Sequence, residues 1–313
     1  MPLKVTDEEF VAAWRDTGGR AGETARRLQI TERGVSSRRR SIEARTGLAL
    51  ASFSPKSPDN AVKLPPGRIQ RNIDNGTILI GSDAHIWPGS LTTAQRAFLL
   101  LAKDLKPDIV CLNGDLFDGA TVSRHPAGIW AQEKRPNVRQ ELEACQAFMD
   151  ALKAPEMIWT WGNHDARFES RLAALTPEYE GVPGFALKDH FPEWKMGMSL
   201  FVNDDVVIKH RWHNGIHAVY NNAVKGGRTI VTGHLHSLKV TPWTDYNGHR
   251  YGVDCGTLSD SDGVMFDYVE DSPKNWRAGF CVLTFKDGRL LMPELVQVWD
   301  ESHIQFRGEV IPV

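Results

Sequence analysis

Cysteine is scarce in this chain, and what there is lies scattered. The 313 residues hold four, Cys111, Cys145, Cys255 and Cys281. They form no CxxC pair and are too few and too far apart for a disulfide framework, which excludes a small secreted scaffold and points to a reducing compartment. No run of 18 apolar residues occurs, so no membrane-spanning helix is expected, and the opening MPLKVTDEEF lacks the apolar core of a secretory signal. Internal repeats and low-complexity tracts are also missing. Hydrophobic residues make up 41% and charged residues 24%, the proportions of a globular protein and not of a disordered chain or a fibre. Even net charge is nearly absent, at -2.

That near-neutrality hides an asymmetry. Through Thr46 the chain carries 10 Lys and Arg against 7 Asp and Glu, whereas the remainder carries 27 against 32. Between Arg20 and Arg45 the balance is 8 basic to 3 acidic residues, with Arg38, Arg39 and Arg40 in one run. A basic end on an acidic body suggests an appended nucleic-acid module. Thr6 and Glu9 fit a capping box ahead of Phe10, Val11, Ala13 and Trp14 at helical spacing. Gly18 and Gly19 stop that helix. A second short helix fits 23–28 with Gly22 as its N-cap, Gln29 and Ile30 make a turn, and Thr31 caps a third helix over 32–45. The stretch AGETARRLQITERGVSSRRR, residues 21–40, resembles a helix-turn-helix, with Ala25, Leu28, Ile30 and Val35 at its small and apolar positions. The resemblance implies contact with nucleic acid, DNA before RNA, through Arg38, Arg39 and Arg40.

Residues 52–67 (SFSPKSPDNAVKLPPG) hold four prolines and read as a linker. The expected division is a helix-turn-helix-like module at 1–48, a Pro-rich linker at 49–76 and one large domain at 77–313. In that domain apolar β-rich runs alternate with helical stretches. TILIGSD precedes a helix at 92–105, DIVCLNGD one at 137–152, and MIWTWGNHD one at 166–175. This alternation predicts an α/β fold. Further strands are predicted at 199–202, 206–209, 229–232, 238–243, 279–285 and 290–298.

The chemistry sits where these strands end. The first three run into Asp83-Ala84-His85, Asn113-Gly114-Asp115 and Gly162-Asn163-His164-Asp165. VVIK then delivers His210, and TIVT delivers Gly233-His234-Leu235-His236. In open α/β sheets ligands bind outside the carboxyl ends of strands. Asp, Asn and His together suit Mn, Fe, Zn and similar divalent ions, not a thiolate site. On an extended chain the outer residues of Asp-x-His and His-x-His face one side, toward one metal centre.

Five blocks in this order, D-x-H, G-D, G-N-H-D, H and G-H-x-H, resemble the calcineurin-like metallophosphoesterases over about 78–285. The resemblance implies a two-sheet β-sandwich flanked by helices, of α/β class, beside the small all-α N-terminal domain. It implies two divalent metal ions, Mn first, with Fe, Zn, Mg or Ni as alternatives. Asp83, His85 and His236 would bind one, Asn163, His210 and His234 the other, and Asp115 would bridge them. His164 would not ligate but contact the phosphate and protonate the leaving group. Two cations about 3.5–4 Å apart lower the pKa of a bound water and clamp phosphoryl oxygens, and a nearby histidine serves as general acid. One departure is that the lone histidine is followed by Arg211, Trp212 and His213, not by glycine. His210 directly follows its strand, and His213 competes for the same role.

Asp118 completes GDLFD, a form similar to nuclease members of the family. Arg124 and His125 follow close enough to reach a phosphate, while Arg167 is read as solvent-facing. Trp87 and Trp130 flank metal-bearing strands, where an aromatic can stack on a base. Residues 171–195 read as a cap beside the metals. Together these features describe a dimetal phosphoesterase acting on phosphodiesters of nucleic acid. A phosphomonoesterase or small-nucleotide phosphodiesterase is the alternative within the chemistry, and a non-catalytic helix-turn-helix regulator the alternative outside it. The expected setting is the cytoplasm of a bacterial or phage-infected cell, with no membrane partner. Oligomeric state is not encoded in any of these features.

Overall fold

The computed structural model describes residues 5–50, 67–123, 135–179 and 181–313. The chain divides into two units, Met1–Pro65 and Pro66–Val313.

The first unit is three helices, α1 (Asp7–Asp16), α2 (Ala21–Leu28) and α3 (Glu32–Thr46). Thr6 and Glu9 close the predicted capping box on α1. Thr31 accepts from the Gly34 amide at the start of α3. The second helix starts earlier than predicted: Arg20, not Gly22, is its N-cap, without a side-chain bond. Gln29 ends it in the left-handed region at φ 51°. Phe10, Trp14, Ala25, Val35, Ile42 and Leu50 are buried together, with Leu28 and Ile30 packed against them.

In the second unit, β1 (Arg68–Arg71) lies inside the segment read as linker, so the folded unit begins before residue 77. There follow β2 (Gly76–Gly81), α4 (Thr93–Leu105), β3 (Ile109–Leu112), α5 (Val138–Asp150), β4 (Glu156–Thr160), α6 (Ala166–Leu175), β5 (Lys195–Gly197), β6 (Ser199–Val202) and β7 (Val206–Ile208). After these come α7 (Ala218–Gly226), β8 (Thr229–Thr232), β9 (Lys239–Asp245), β10 (Gly248–Asp254), β11 (Gly279–Lys286) and β12 (Arg289–Leu290). The chain ends with β13 (Glu294–Asp300), β14 (His303–Phe306) and β15 (Glu309–Pro312). The single strand predicted at 290–298 is thus two, interrupted around Pro293.

Two sheets form. One has the order β1-β6-β7-β8-β10-β9, the other β15-β14-β13-β11-β2-β3-β4-β5 with β12 beside β11. In the second sheet β2 to β5 run parallel. Such parallel strands are covered on both faces, and the residues sort accordingly. Ile78, Ile80, Ile109, Cys111, Cys281 and Leu283 join Leu200, Val206, Ile208 and Val231 in the core between the sheets. Leu79, Val110, Leu112, Phe280 and Val282 face the other way, against Phe98 of α4 and Phe148 of α5. Thr92 and Asn137 cap those two helices with full capping boxes. The chain is therefore an α/β sandwich of two sheets flanked by helices, with a separate all-α N-terminal region. Residues 171–195 are less of a cap than predicted: Leu187, Phe191 and Trp194 are buried in the helix-side core.

Candidate metal centre

The carboxyl ends of β2, β3, β4, β7 and β8 bring the predicted blocks together. Among the described residues three groups of possible ligand atoms result: Asp83 with His85 and His236, Asp115 with His210 and His234, and, sharing His85 with the first, His85 with Asp118 and His164. The sandwich holds these side chains inside the protein, with Asp83 fully buried and His85, Asp115 and His210 each 2% exposed. His236 Nε2 is 3.1 Å from Asp83 Oδ1, and His210 Nε2 is 3.1 Å from Asp115 Oδ2.

Neither the Asp-x-His nor the His-x-His pair is extended. Asp83 (φ 54°), His85 (φ 39°), His234 (φ 70°) and His236 (φ 54°) are all left-handed, and His234 and His236 turn into different groups. The expectation that His-x-His faces one metal is therefore corrected. Asp115 shares the left-handed region at φ 52°. Such positions cost about 1–2 kcal/mol for an L-residue and persist where the surroundings over-determine them. Here the ladder past the strand ends does so: the amides of Asp83 and His85 donate to the Gly114 and Asp115 carbonyls at 2.9 and 3.0 Å. Glycine in two of the blocks answers a steric demand. A Cβ on Gly162 would overlap the Asp115 carboxylate and amide, and one on Gly233 would overlap Ser82 and Asp83.

The residues fit a pair of cations. Buried His85 Nε2, Asn163 Oδ1 and His236 Nδ1 meet no hydrogen-bond partner, and His210 Nε2 faces the Asp115 carboxylate; buried polar atoms are rarely left without a partner. The opposite ring atoms are anchored: His210 Nδ1 donates to the Asn113 carbonyl at 2.8 Å, and His85 Nδ1 to Asp118 Oδ1 at 2.9 Å. Histidine ligands are commonly oriented by such outer partners. His213, the competitor of His210, joins no ligand group among the described residues. Its amide bonds Asn222 at 3.3 Å instead.

Charge balance points the same way. Burial works against ionising Asp83, but His236 and His210 outweigh it and hold the carboxyl down at about 2. Burial likewise opposes ionisation of Asp115, and His210 foremost keeps it well below the usual carboxylate range. Burial alone would lower His210, yet Asp115 and Asp83 raise it to about 10. A cation meets the same two carboxylates, which is how metal and proton compete for one site. Burial, then the His210 charge, lower His234.

Three residues, Asp118, Arg167 and Asp165, give the site an outer frame whose contacts spacing did not disclose. Asp118 is buried, accepts from His85 Nδ1 and from His164 Nδ1, both at 2.9 Å, and from Trp87 Nε1 at 3.2 Å. Arg167, expected at the surface, donates to the Asp118 carbonyl and to His164 Nε2, both at 2.9 Å. A guanidinium has no acceptor, so His164 accepts at Nε2 and donates from Nδ1. Asp165 takes five donors, the amides of Asp115, Leu116, Phe117 and Gly162 and the Trp159 indole. Burial, then the Asp115 charge, push it up to about 7. The five N–H donors lean the other way, and an acid proton would meet donors only, so the ionised form is the one this geometry fits. The predicted phosphate contacts Arg124 and His125, and Trp130, lie outside the described residues.

In the N-terminal unit the arginine run splits. Arg38 donates to the Val5 carbonyl and to Asp7. Arg39 lies over the Trp14 ring and 3.5 Å from Glu43. Arg40 is exposed, its side chain reaching, among the described residues, the Ser36 carbonyl at 3.3 Å.

A family model of the calcineurin-like phosphoesterases matches residues 76–276. No curated protein matches the chain. Among solved structures, wild-type Vps29 complexed with Zn2+ from Entamoeba histolytica is 13% identical, with a TM-score of 0.39 over 75% of this chain and 98% of that one. Yfce, a phosphoesterase from E. coli, is 14% identical, with a TM-score of 0.36 over 69% and 97%. The Pseudomonas putida nuclease MPE is 13% identical, with a TM-score of 0.33 over 75% and 87%.

Proposed function

The chain belongs to the calcineurin-like phosphoesterase family, whose members are metal-dependent phosphoester hydrolases, and from that premise we propose that its substrate is a phosphodiester of nucleic acid, DNA before RNA. One observation carries the substrate: the same chain bears a basic helical unit whose third helix exposes Arg33, Ser36, Ser37 and Arg40 along one face. A tethered basic unit raises the local concentration of a polyanion at the site. Because Arg38 and Arg39 are engaged within the unit, Arg33 and Arg40 take over as the proposed contacts.

Two divalent cations, Mn first, supply Lewis acidity toward the phosphoryl oxygens and toward water. Asp83, His85 and His236 would hold one of them, Asn163, His210 and His234 the other, and Asp115 both. Asp118 presents His85 Nε2 by fixing its Nδ1 proton, and it stabilises positive charge on His164. In the structure Nε2 accepts from Arg167 at 2.9 Å; when that guanidinium turns to the phosphate, Nε2 is free to carry a proton and donate it to the leaving oxygen. Arg167, beside that nitrogen, offers its guanidinium to the phosphate.

The test is hydrolysis of bis-p-nitrophenyl phosphate and of labelled DNA and RNA by the Mn2+-loaded protein. EDTA should abolish it, Asp115→Ala should remove it, and His164→Ala should slow it roughly 10²–10⁴-fold. Equal rates in wild type and both variants would refute the mechanism. Turnover of mononucleotides but not polymer would refute the substrate.

A further inference from the structure

Beside the second ligand group lies a cleft of about 610 Å³ that the hydrolytic chemistry does not use. Asn163 and His210 line it together with Trp161, Met198, Lys209 and Arg211. Its chemistry is of two kinds. Trp161 is half-buried and Met198 is 58% exposed, so an aromatic ring and a soft apolar side chain face the opening. Lys209 and Arg211 flank His210 in sequence, and neither pairs with a carboxylate among the described residues. The one carboxylate lining the cleft, Glu169, is occupied by the Leu187 amide at 3.0 Å.

We propose that this cleft is a subsite for the nucleotide next to the scissile phosphate, with its base unpaired against Trp161 and its outer phosphate between Lys209 and Arg211. The assignment rests on the nucleic-acid reading above and deepens it. Two cations against the single carboxylate of Glu169 leave a net positive charge that calls for an anion, and their position next to Asn163 and His210 places that anion beside the reacting phosphate, not at it. A neighbouring phosphate of the same strand meets that requirement. The ring and Met198 then lie where its base would fall. Every base has a face that stacks on an aromatic side chain, but a base within a duplex has already spent both faces on its neighbours. The cleft therefore selects single-stranded or frayed ends.

The experiment uses the full-length protein, with Lys209→Gln, Arg211→Gln and Trp161→Ala, and Trp161→Phe as a variant that retains a stacking face. Rates are measured on bis-p-nitrophenyl phosphate, which has neither base nor outer phosphate, and on a labelled single-stranded oligonucleotide and its duplex. Binding of the labelled strand is followed by anisotropy in EDTA across a salt series. The Trp161→Ala and the paired charge variants should raise KM for the single strand at least about tenfold more than for the small diester, with the loss in KM and not in kcat. Trp161→Phe should recover most of it. Each charge removed should flatten the log–log salt dependence of binding by about 0.7. Equal effects on both substrates, or a KM ratio and salt slope unchanged in the charge variants, would overturn the subsite while leaving the nuclease reading intact. Wild-type hydrolysis of the small diester without any cleavage of polymer would overturn both.

Discussion

Asp165→Asn is the sharpest perturbation the structure offers, because it changes one atom and nothing in shape. Asp165 Oδ2 accepts from the amides of Asp115 and Gly162 and from the Trp159 indole, at 2.9, 2.8 and 3.1 Å. Oδ1 accepts from Leu116 and Phe117 at 3.0 and 3.1 Å. An asparagine can turn its oxygen to one side only, keeping three of these bonds at best. Its amino group then faces two buried N–H donors that have no other acceptor. At about 1–3 kcal/mol for each buried group left unpaired, the loss is about 2–6 kcal/mol. That is a large part of the roughly 5–15 kcal/mol that holds a domain together. For a unit of this size it should appear as a fall in Tm of roughly 5–20 °C by calorimetry or circular dichroism. Metal affinity should fall with it, since these bonds tie the Asp115 turn to the loop that carries Asn163 and His164. An Asn variant melting within 2 °C of wild type would refute the reasoning. It would mean that Asp165 carries a proton and that its shell differs from five donors around a carboxylate.

Asp118 Oδ1 accepts both histidine Nδ1 protons while Oδ2 takes the Trp87 indole, so Asp118→Asn leaves the histidines a neutral acceptor and turns an amino group on the indole; metal affinity and turnover should each fall roughly 10–100-fold, read by metal titration and by diester hydrolysis. Glu141 accepts the Gly119 and Ala120 amides at 2.7 and 3.1 Å, and burial, then the Asp118 charge, raise its carboxyl to about 8. Its folded value lies above the unfolded one near 4.3, so its contribution to stability is complete below that and is lost as pH rises through about 8. Unfolding free energies from urea titrations at pH 5 to 8 should fall more steeply in wild type than in Glu141→Gln, by up to about 1.4 kcal/mol per pH unit, and parallel curves would remove the claim. Arg38→Ala should lower the melting temperature of the N-terminal unit by freeing the Val5 carbonyl and leaving Asp7 to Arg45 alone, whereas Arg40→Ala should leave it and weaken nucleic-acid binding. Identical behaviour of the two would argue against the division of roles drawn here.

The parallel strands were legible because both of their faces are buried. TILIG and DIVCL are unbroken apolar runs, and that pattern follows directly from Ile78 and Ile80 facing one core and Leu79 the other. Elements whose stability comes from elsewhere left no such trace. β1 is Arg-Ile-Gln-Arg, an edge strand with one buried residue, held by parallel pairing to β6, which lies 131 positions on in register. α7 carries Asn221 and Asn222 at its centre, poor helix formers whose cost is met by packing on β8, β9 and β10. The arginine run shows the limit of counting charge. Three consecutive residues on a helix point in three directions about 100° apart, so a run that is uniform in sequence is divided by the fold into an anchor, a ring contact and one exposed cation.

The ligand blocks were legible for a different reason: each strand end offers donor atoms in a short span. What spacing could not give is how those atoms are aimed. An extended Asp-x-His sends both side chains to one side, but a left-handed residue re-aims its side chain, and here five ligand positions are left-handed. This is what lets His234 and His236, two residues apart, serve different groups. It also explains why the glycines of the blocks matter as much as the ligands. The turns that re-aim the side chains draw the loops together until Gly162 touches Asp115 and Gly233 touches Ser82 and Asp83, and a methyl group at either would push a ligand out of place. The outer frame is harder still to read, because Asp118 meets His85 across 33 positions and His164 across 46. Asp118 ends GDLFD and Asp165 ends GNHD, but neither pattern says which residue its carboxylate orients, and that becomes visible only when folding places them behind the ligands.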